Sequence, residues 1–342
     1  MSFSVLDMVK TKKNGDKAYP VVKQALCRAG HISQFLNFDT HKYSDLCDRK
    51  TDLLLGMIAK QILQKAGVAM WWVTVPRSVP MPCVLVGADV FHSPPFYDLK
   101  QGKRVRNPSC AAIVVQIIRR THVAGGGHEA LEVYSETRKQ EGGQEFQLED
   151  AYKVTIQNAL KAFKVAPASC IVFRDGIGHT AFSSFAQAEI RGIRAGLRGP
   201  VLGNKKPTTP LCYMTCQKRI DTKFLSHGVP GYDDGSFSAP AGTMISGIQG
   251  LENQTFYING RAPPFSTAKP VRYVILERDI GLMNVPISEL VWGQCHAYPG
   301  WAGSIKVPSQ CQMAHKLAEL AGNMPDCGTS ISHHKYKTPY FL

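Results

Sequence analysis

Short apolar runs alternate with amphipathic stretches along most of the chain, and this alternation predicts an α/β fold. Residues 83–87 are uncharged and follow Pro82, as is typical of a buried strand. Apolar residues spaced by three or four positions predict helices elsewhere. The predicted strands are 70–75, 82–92, 110–118, 130–135, 168–173, 211–217 and 272–276. The predicted helices are 51–66, 148–163, 179–197, 288–298 and 308–322, with a broken helical pattern over 19–36.

Proline placement predicts a domain boundary near residue 76. Residues 76–82 contain three prolines, which favour a linker over a regular element. We therefore expect one domain over residues 1–76 and a second over 77–342. The polar segments predict a lead-in and loops at 1–18, 39–51, 93–107 and 138–147.

The order of the predicted elements brings two carboxylates together. Three successive strands joined by turns are expected to be antiparallel neighbours, and a helix then lets the fourth strand lie parallel to the first. Asp89 and Asp175 end the first and fourth of these strands, counted from residue 82. Two adjacent carboxylates repel unless a cation compensates them, so the pair predicts a hard-oxygen site for Mg²⁺ or Mn²⁺. The alternative is that Asp175-Gly176 is an ordinary turn.

Composition favours a folded protein with a polyanionic partner. The chain has 342 residues, of which 44% are hydrophobic and 19% charged, so it is not disordered. Its net charge of +14 favours nucleic acid as a partner, with a merely basic soluble protein as the alternative. The basic residues are dispersed, which suits a broad channel better than a flexible arm.

Cysteine usage and the absence of targeting signals predict a reducing compartment. Ten cysteines are scattered without a CxxC pair. Neither a signal peptide nor an apolar run of membrane-spanning length is apparent. We expect reduced thiols in a cytoplasmic or nuclear protein without a membrane partner.

Several motifs occur along the chain, namely Val-Gly-Ala-Asp-Val-Phe-His at 86–92, Val-Phe-Arg-Asp-Gly-Ile at 172–177, Gln-Lys-Arg at 217–219, Pro-Ala-Gly-Thr at 240–243, Gln-Cys-His-Ala-Tyr at 294–298, Val-Pro-Ser-Gln-Cys-Gln-Met-Ala-His-Lys-Leu-Ala at 307–318 and the terminal Tyr-Phe-Leu. Together these motifs resemble the Piwi domain of Argonaute/Piwi proteins, and the block at 307–318 resembles the Piwi branch. The resemblance implies a ribonuclease H-like mixed sheet flanked by helices. It also implies that a partial Mid α/β domain precedes this Piwi domain.

The resemblance implies a guided, metal-dependent endoribonuclease, or slicer, acting in RNA silencing. Asp89, Asp175 and His315 fall on three positions of the family's catalytic set. Glu145 is favoured for the remaining position, with Glu141 as the alternative. Two Mg²⁺ ions roughly 4 Å apart would straddle the scissile phosphate, with Asp89 between them. Without the resemblance, a histidine in the first turns of a helix is more often a capping or core residue.

The first seventy residues resemble the second half of a Mid domain, which holds the guide 5′ end. The resemblance implies that Tyr19, Lys23, Gln34, Gln61 and Lys65 surround the 5′-phosphate, together with the terminal carboxylate of Leu342. A tyrosine ring can stack on a base, and lysines with an amide can surround a phosphate. The alternative for Tyr19 and Lys23 is the surface of an ordinary amphipathic helix.

The expected partners are a small guide RNA, or DNA, and a complementary target RNA, bound by a monomer. The resemblance begins inside the Mid domain, so we expect a fragment, a partial gene model or a reduced family member. Two other functions stay open. One is a guide-binding module that silences without cutting, and the other is a guide-independent ribonuclease H-like nuclease.

Overall fold

The structure is a computed structural model of the chain. It describes residues 3–7, 15–36, 49–71, 73–98, 102–106, 108–119, 131–140, 148–176, 182–198, 208–225, 238–248, 254–261, 267–324, 326, 328–329, 331 and 336–342.

Twelve strands and six α-helices lie within the described residues. The strands are β1 (Phe3–Asp7), β2 (Ile32–Leu36), β3 (Cys83–Phe91), β4 (Phe96–Asp98), β5 (Lys103–Val105), β6 (Ser109–Ile118), β7 (Val133–Gln140), β8 (Ser169–Asp175), β9 (Leu211–Gln217), β10 (Met244–Ser246), β11 (Thr255–Ile258) and β12 (Val271–Arg278). The helices are α1 (Gly15–Arg28), α2 (Arg49–Lys65), α3 (Glu149–Phe163), α4 (Phe182–Leu197), α5 (Ile287–His296) and α6 (Ser309–Gly322).

An eight-stranded mixed sheet organises the larger part of the molecule. Its strand order is β10-β11-β12-β9-β8-β3-β6-β7. Strands β3, β8 and β9 are parallel neighbours, whereas β3, β6 and β7 are joined antiparallel. The predicted order of three antiparallel strands, followed by a fourth parallel to the first, is therefore confirmed.

Helices cover both faces of this sheet, so its central strands are buried on two sides. Val84 and Val86 point into the core formed with α3 and α4. Their neighbour Leu85 points into the opposite core, which includes residues of α5 and of the start of α6. Burial on both faces explains why the strand sequence is continuously apolar rather than alternating.

Helix α6 packs directly against the sheet at Gly87. A Cβ at this position would collide with the main chain of Gln310, so only glycine allows the observed contact. The Gln310 side-chain Nε2 donates hydrogen bonds to the buried side-chain Oε1 atoms of Gln116 (2.7 Å) and Gln294 (3.0 Å). This network joins β6, α5 and α6 and fixes α6 over β3.

A smaller N-terminal unit contains β1, α1, β2 and α2. Strands β1 and β2 form a two-stranded parallel sheet. The unit is tied to the larger sheet through the C-terminal segment, where the Tyr336 hydroxyl donates to the carbonyl of Cys27 at 2.9 Å. Cys27 and Ile32 are buried in the same apolar cluster as Tyr336 and Tyr340. The predicted division at residue 76 stays a prediction.

The prediction of a strand over 70–75 is wrong for the described residues of that segment, which carry no strand pairing. These residues pack against α5 instead: Trp71 Nε1 donates to the carbonyl of His296 at 2.9 Å, and Val75 lies on the α5 core. Burial against a helix produces the same apolar pattern as burial in a sheet.

Other differences concern short or displaced strands. The strand predicted at 130–135 runs over Val133–Gln140, so it enters the predicted 138–147 loop. The pattern over 19–36 missed β2, and the predicted polar lead-in and 93–107 loop contain β1, β4 and β5. No described helix has the length and hydrophobicity needed to cross a membrane.

One buried ion pair lies next to Asp175 in the core. The Arg174 guanidinium meets the Glu189 carboxylate at 3.2 Å, and both side chains are at least 95% buried. The Tyr213 hydroxyl donates to the same carboxylate at 2.7 Å. A buried charge that loses its partner is strongly destabilising, so this pair constrains how α4 packs on β8.

We predict that Glu189→Gln lowers the free energy of unfolding by about 3 kcal/mol, because the Arg174 charge would stay buried without its counter-charge. Urea unfolding followed by circular dichroism measures the change. Glu319→Gln, in the exposed pair with Lys316, is the matched control and should cost less than about 1 kcal/mol. Equal losses in the two variants would contradict the importance of the buried pair.

Candidate active site and phosphate pocket

The parallel pairing of β3 with β8 sets Asp89 beside Asp175. Ala88 is in register with Arg174, so the next residue on each strand is an aspartate. Both side chains are buried. Gly176 follows with φ +83°, and a Cβ there would lie 3.7 Å from Asp89 Oδ1. The Asp-Gly pair thus both ends a strand and turns the chain close to the other carboxylate.

His315 reaches the same place from α6. Its Nδ1 atom lies 2.7 Å from Asp89 Oδ2, and its side chain is 38% exposed. The backbone N–H of Val90 donates to Asp89 Oδ1 at 2.8 Å, so both oxygens of this carboxylate have partners. A half-exposed histidine bonded to a carboxylate is neither a core residue nor a helix cap, and both alternatives fail here.

Lys218 is a member of this group to which the sequence analysis gave no role. It follows the end of β9, and its ammonium group pairs with Asp175 Oδ2. Strand order could have identified Lys218, because β9 is the parallel neighbour of β8 and Asp175 is in register with Cys216. Residues just beyond the carboxyl ends of adjacent parallel strands share one edge of the sheet.

The charges of this group affect one another strongly. Burial raises the pKa of Asp175, and the negative charge of Asp89 raises it further, while Lys218 acts in the opposite direction. Burial alone lowers the pKa of Lys218, but the charge and hydrogen bond of Asp175, together with the charge of Asp89, outweigh burial, and this pKa lies above its ordinary value. The paired carboxylates therefore require positive charge.

The side chains at this edge are of types that can bind a divalent cation. Carboxylates are the ligands that Mg²⁺ and Mn²⁺ prefer, and an imidazole is a common ligand of first-row transition metals. In the part of the chain that the structure describes, no three His, Cys, Asp or Glu side chains are grouped so as to hold a metal ion. Glu145 and its alternative Glu141 lie outside the described residues. The metal-ligand set stays a prediction.

A second polar centre lies in the N-terminal unit, where two lysines meet. Lys23 Nζ donates to the carbonyl and hydroxyl oxygens of Ser33, both at 2.9 Å. Lys65 Nζ donates to the same carbonyl at 3.2 Å. Both lysines are buried, so Lys23 is not part of an exposed helix surface, and that alternative is wrong.

Two of the predicted amides adjoin these lysines. Gln34 Oε1 accepts from Lys65 at 2.7 Å, and Gln34 Nε2 donates to Gln61 Oε1 at 3.0 Å. Tyr19 is 37% exposed and meets the Phe35 ring edge-on, with centroids 4.9 Å apart. The chain thus brings together Lys23, Lys65, Gln34 and Gln61, with Tyr19 attached through Phe35.

The terminal carboxylate of Leu342, predicted to join the phosphate pocket, makes no direct contact with the pocket lysines in the part of the chain that the structure describes. Its side chain packs on the apolar cluster that contains Cys27. Within the described residues, no ion pair joins its carboxylate to Lys23 or Lys65. Another C-terminal residue contacts the pocket wall, since Thr338 Oγ1 donates to the carbonyl of Lys65 at 2.9 Å.

The two ammonium groups are poorly compensated. Burial lowers the pKa of Lys23. Burial, reinforced by the charge of Lys23, lowers the pKa of Lys65 to about 7. No carboxylate forms an ion pair with either lysine among the residues that the structure describes. Such a centre favours an anion, which would stabilise both charged forms.

Comparisons with known proteins agree with the fold and with the resemblance. The family model described as Piwi domain matches residues 5–325. The chain is 28% identical over 325 residues to Piwi-like protein Ago3 of Bombyx mori, covering 93% of this chain and 31% of that protein. It is 30% identical over 270 residues to Piwi-like protein 1 of Danio rerio, covering 78% of this chain and 28% of that protein. The chain thus spans about a third of the length of these relatives.

Solved structures share the fold. Drosophila Piwi superposes with a TM-score of 0.73 at 18% identity, covering 99% of this chain and 42% of that one. Kluyveromyces polysporus Argonaute with a guide RNA gives 0.77 at 16% identity, with the same coverage. The ribonuclease H-like mixed sheet flanked by helices is therefore confirmed. On its motifs, its fold and the family model, this chain belongs to the Argonaute/Piwi family.

Proposed function

We propose that this chain forms the guide-binding pocket and nuclease centre of a small-RNA-guided endoribonuclease. The observation that carries this proposal is the pair of Asp89 and Asp175 at the carboxyl edge of the parallel strands, with His315 bonded to Asp89. The second support is the pair of buried lysines, which suits a terminal phosphate. The family membership makes guided RNA cleavage the activity to test first.

The roles of the residues follow from their contacts. Asp89, Asp175 and His315 would hold Mg²⁺ or Mn²⁺, together with Glu145 or its alternative Glu141. When bound, the metal supplies Lewis-acid charge at the scissile phosphate and lowers the pKa of the attacking water. His315 and the Val90 N–H orient the carboxylate of Asp89. Lys218 supplies positive charge that lessens repulsion between the aspartates.

The phosphate pocket would position the guide rather than react with it. The ammonium groups of Lys23 and Lys65 converge on one carbonyl oxygen, so a phosphate there would receive donors from both. Base pairing would then select the target, and the protein would contact mostly the backbone.

A guide-binding module that does not cut is the second candidate. The engagement of Asp175 by the Lys218 ammonium group supports it. Cleavage of a labelled RNA with matched and scrambled 5′-phosphorylated guides, in Mg²⁺ and in EDTA, separates the candidates. Cutting with the scrambled guide would instead indicate a guide-independent nuclease.

We predict that Asp175→Ala lowers the single-turnover cleavage rate at least ~100-fold, because it removes one of two buried carboxylates that compensate the metal charge. Guide affinity should change little, since Asp175 is outside the phosphate pocket. Thermal unfolding and guide binding control for misfolding. A folded variant that cuts at the wild-type rate would refute the assignment of Asp175.

We predict that Lys23→Ala combined with Lys65→Ala weakens binding of 5′-phosphorylated guides at least ~10-fold more than binding of 5′-hydroxyl guides, because two charge-assisted hydrogen bonds are lost. Equilibrium filter binding with both guides measures the difference. Lys161→Ala with Lys164→Ala, near the end of α3, is the charge-matched control. An equal loss for both guides would count against the pocket.

Guide affinity should depend on pH through Lys65. Its pKa of about 7 means that the free pocket loses this charge as pH rises above 7. A bound phosphate favours the protonated form, so binding takes up a proton. The advantage of a 5′-phosphate should therefore decrease from pH 7 to 9, by at most ~10-fold per pH unit.

The same binding assay, repeated from pH 6 to 9, checks this dependence. Lys65→Arg keeps its charge over the whole range and should bind with little pH dependence. Undiminished phosphate preference at pH 9 in the wild-type protein would contradict the role of Lys65 protonation.

A further inference from the structure

A separate cavity opens beside β7, the strand at one edge of the eight-stranded sheet. Its volume is about 670 Å³, which is within the range of pockets that bind small molecules. Its lining shares no residue with the site of Asp89 and Asp175 or with the phosphate pocket. We call it the β7–α3 pocket, and its walls include Glu136, Arg138, Val154, Lys161, Ile331 and Lys337.

The carboxylate of Glu136 lies in the wall of this pocket and is fully engaged. Its Oε1 atom accepts hydrogen bonds from the Tyr134 hydroxyl at 2.9 Å and the Asn158 amide at 2.8 Å. Its Oε2 atom accepts from the Thr155 hydroxyl at 3.2 Å and the Arg138 guanidinium at 3.3 Å. A carboxylate has about four lone-pair sites, so Glu136 has no acceptor left for a cationic ligand.

Three basic side chains give the pocket a net positive charge. Lys161 lies in the last turn of α3, and Lys337 Nζ donates to the carbonyl of Ala162 at 2.9 Å. No carboxylate forms an ion pair with Lys161 or Lys337 among the residues that the structure describes. With Arg138 there are three positive charges against the one negative charge of Glu136, which leaves two. Such a lining favours a ligand with about two negative charges.

Apolar groups complete the walls of the pocket. Val154 and Ala162 line it from α3, and Ile331 lines it from the C-terminal segment. A bare anion would leave these surfaces in contact with water, whereas an organic body covers them. A phosphate monoester carries about −1.5 to −2 charges at pH 7 and has three acceptor oxygens. An organic phosphomonoester therefore matches both the charge and the apolar walls.

We propose that the β7–α3 pocket binds a small phosphomonoester with an apolar body. Arg138, Lys161 and Lys337 donate to the phosphate oxygens, and the body of the ligand packs on Val154. Glu136 is a positioning residue, because it orients the Arg138 guanidinium and contacts no ligand atom. This site is independent of the proposed function, since it shares no residue with either polar centre.

The test is a calorimetric titration of the full chain with phenyl phosphate. The chain carries Lys23→Met and Lys65→Met, so that the phosphate pocket contributes no binding. One site should bind phenyl phosphate. Inorganic phosphate should bind roughly 10-fold more weakly, because it leaves the apolar walls uncovered, and benzylamine should not bind. Equal affinity for the two phosphates, or no binding of phenyl phosphate, overturns the proposal.

Variants of the pocket lysines locate the binding site. Lys161→Ala and Lys337→Ala should each weaken phenyl phosphate binding roughly 10-fold, because a charge-assisted hydrogen bond is lost. Lys337→Arg keeps the charge and should bind nearly normally, which keeps the test informative if Lys337→Ala unfolds. Lys153→Ala is the matched control, since Lys153 is exposed on α3 outside the pocket. Unchanged affinity in Lys161→Ala, or an equal loss in Lys153→Ala, overturns the site.

A phosphodiester backbone is the alternative ligand for a basic pocket. Competition between phenyl phosphate and a labelled single-stranded RNA with a 5′-hydroxyl end distinguishes the two ligands. Saturating phenyl phosphate should leave the bound RNA in place. Displacement of the RNA that disappears in Lys161→Ala would assign the pocket to nucleic acid and overturn the small phosphomonoester.

Discussion

Repulsion between two carboxylates at the ends of adjacent parallel strands constrains this molecule. The register of β3 and β8 fixes Asp89 beside Asp175, and both are removed from water, so neither can move away to lessen the repulsion. Three groups contact the two carboxylates: the backbone N–H of Val90, the imidazole of His315 on α6, and the ammonium group of Lys218 just after β9. The close contact of α6 at Gly87 and the buried glutamine network keep this environment rigid.

The second centre has the opposite electrostatic problem. Lys23 and Lys65 are buried together with amide and carbonyl oxygens, which are only partial negative charges. The acidic centre therefore favours bound cations, and the lysine pocket favours a bound anion. A nucleic acid with a terminal phosphate, accompanied by divalent metal, satisfies both at once. The net charge of +14 agrees with such a ligand.

Sequence reasoning predicted the arrangement of β3, β6, β7 and β8 because this arrangement depends on connection rules and on long apolar runs, but it did not predict β10 or β11. At 70–75 it could not distinguish burial against α5 from burial in a sheet. It also did not detect β2, because this strand has only five residues. Asp89 and Asp175 followed from topology, whereas His315 required the family resemblance, because proximity across 226 residues leaves no local pattern. Lys218 was given no role, although the reasoning that placed the two aspartates at one edge of the sheet also applies to the end of β9. The choice between Glu145 and Glu141 stays a prediction.

The hydrogen bonds of the C-terminal segment bear on the order of events during synthesis. Tyr336 and Thr338 contact Cys27 and Lys65, which lie about three hundred residues earlier in the chain. A ribosome releases the N-terminal unit first, yet this wall of the pocket is completed only after residue 338 has emerged. An N-terminal unit that folds before residue 338 has emerged therefore lacks this wall of the pocket.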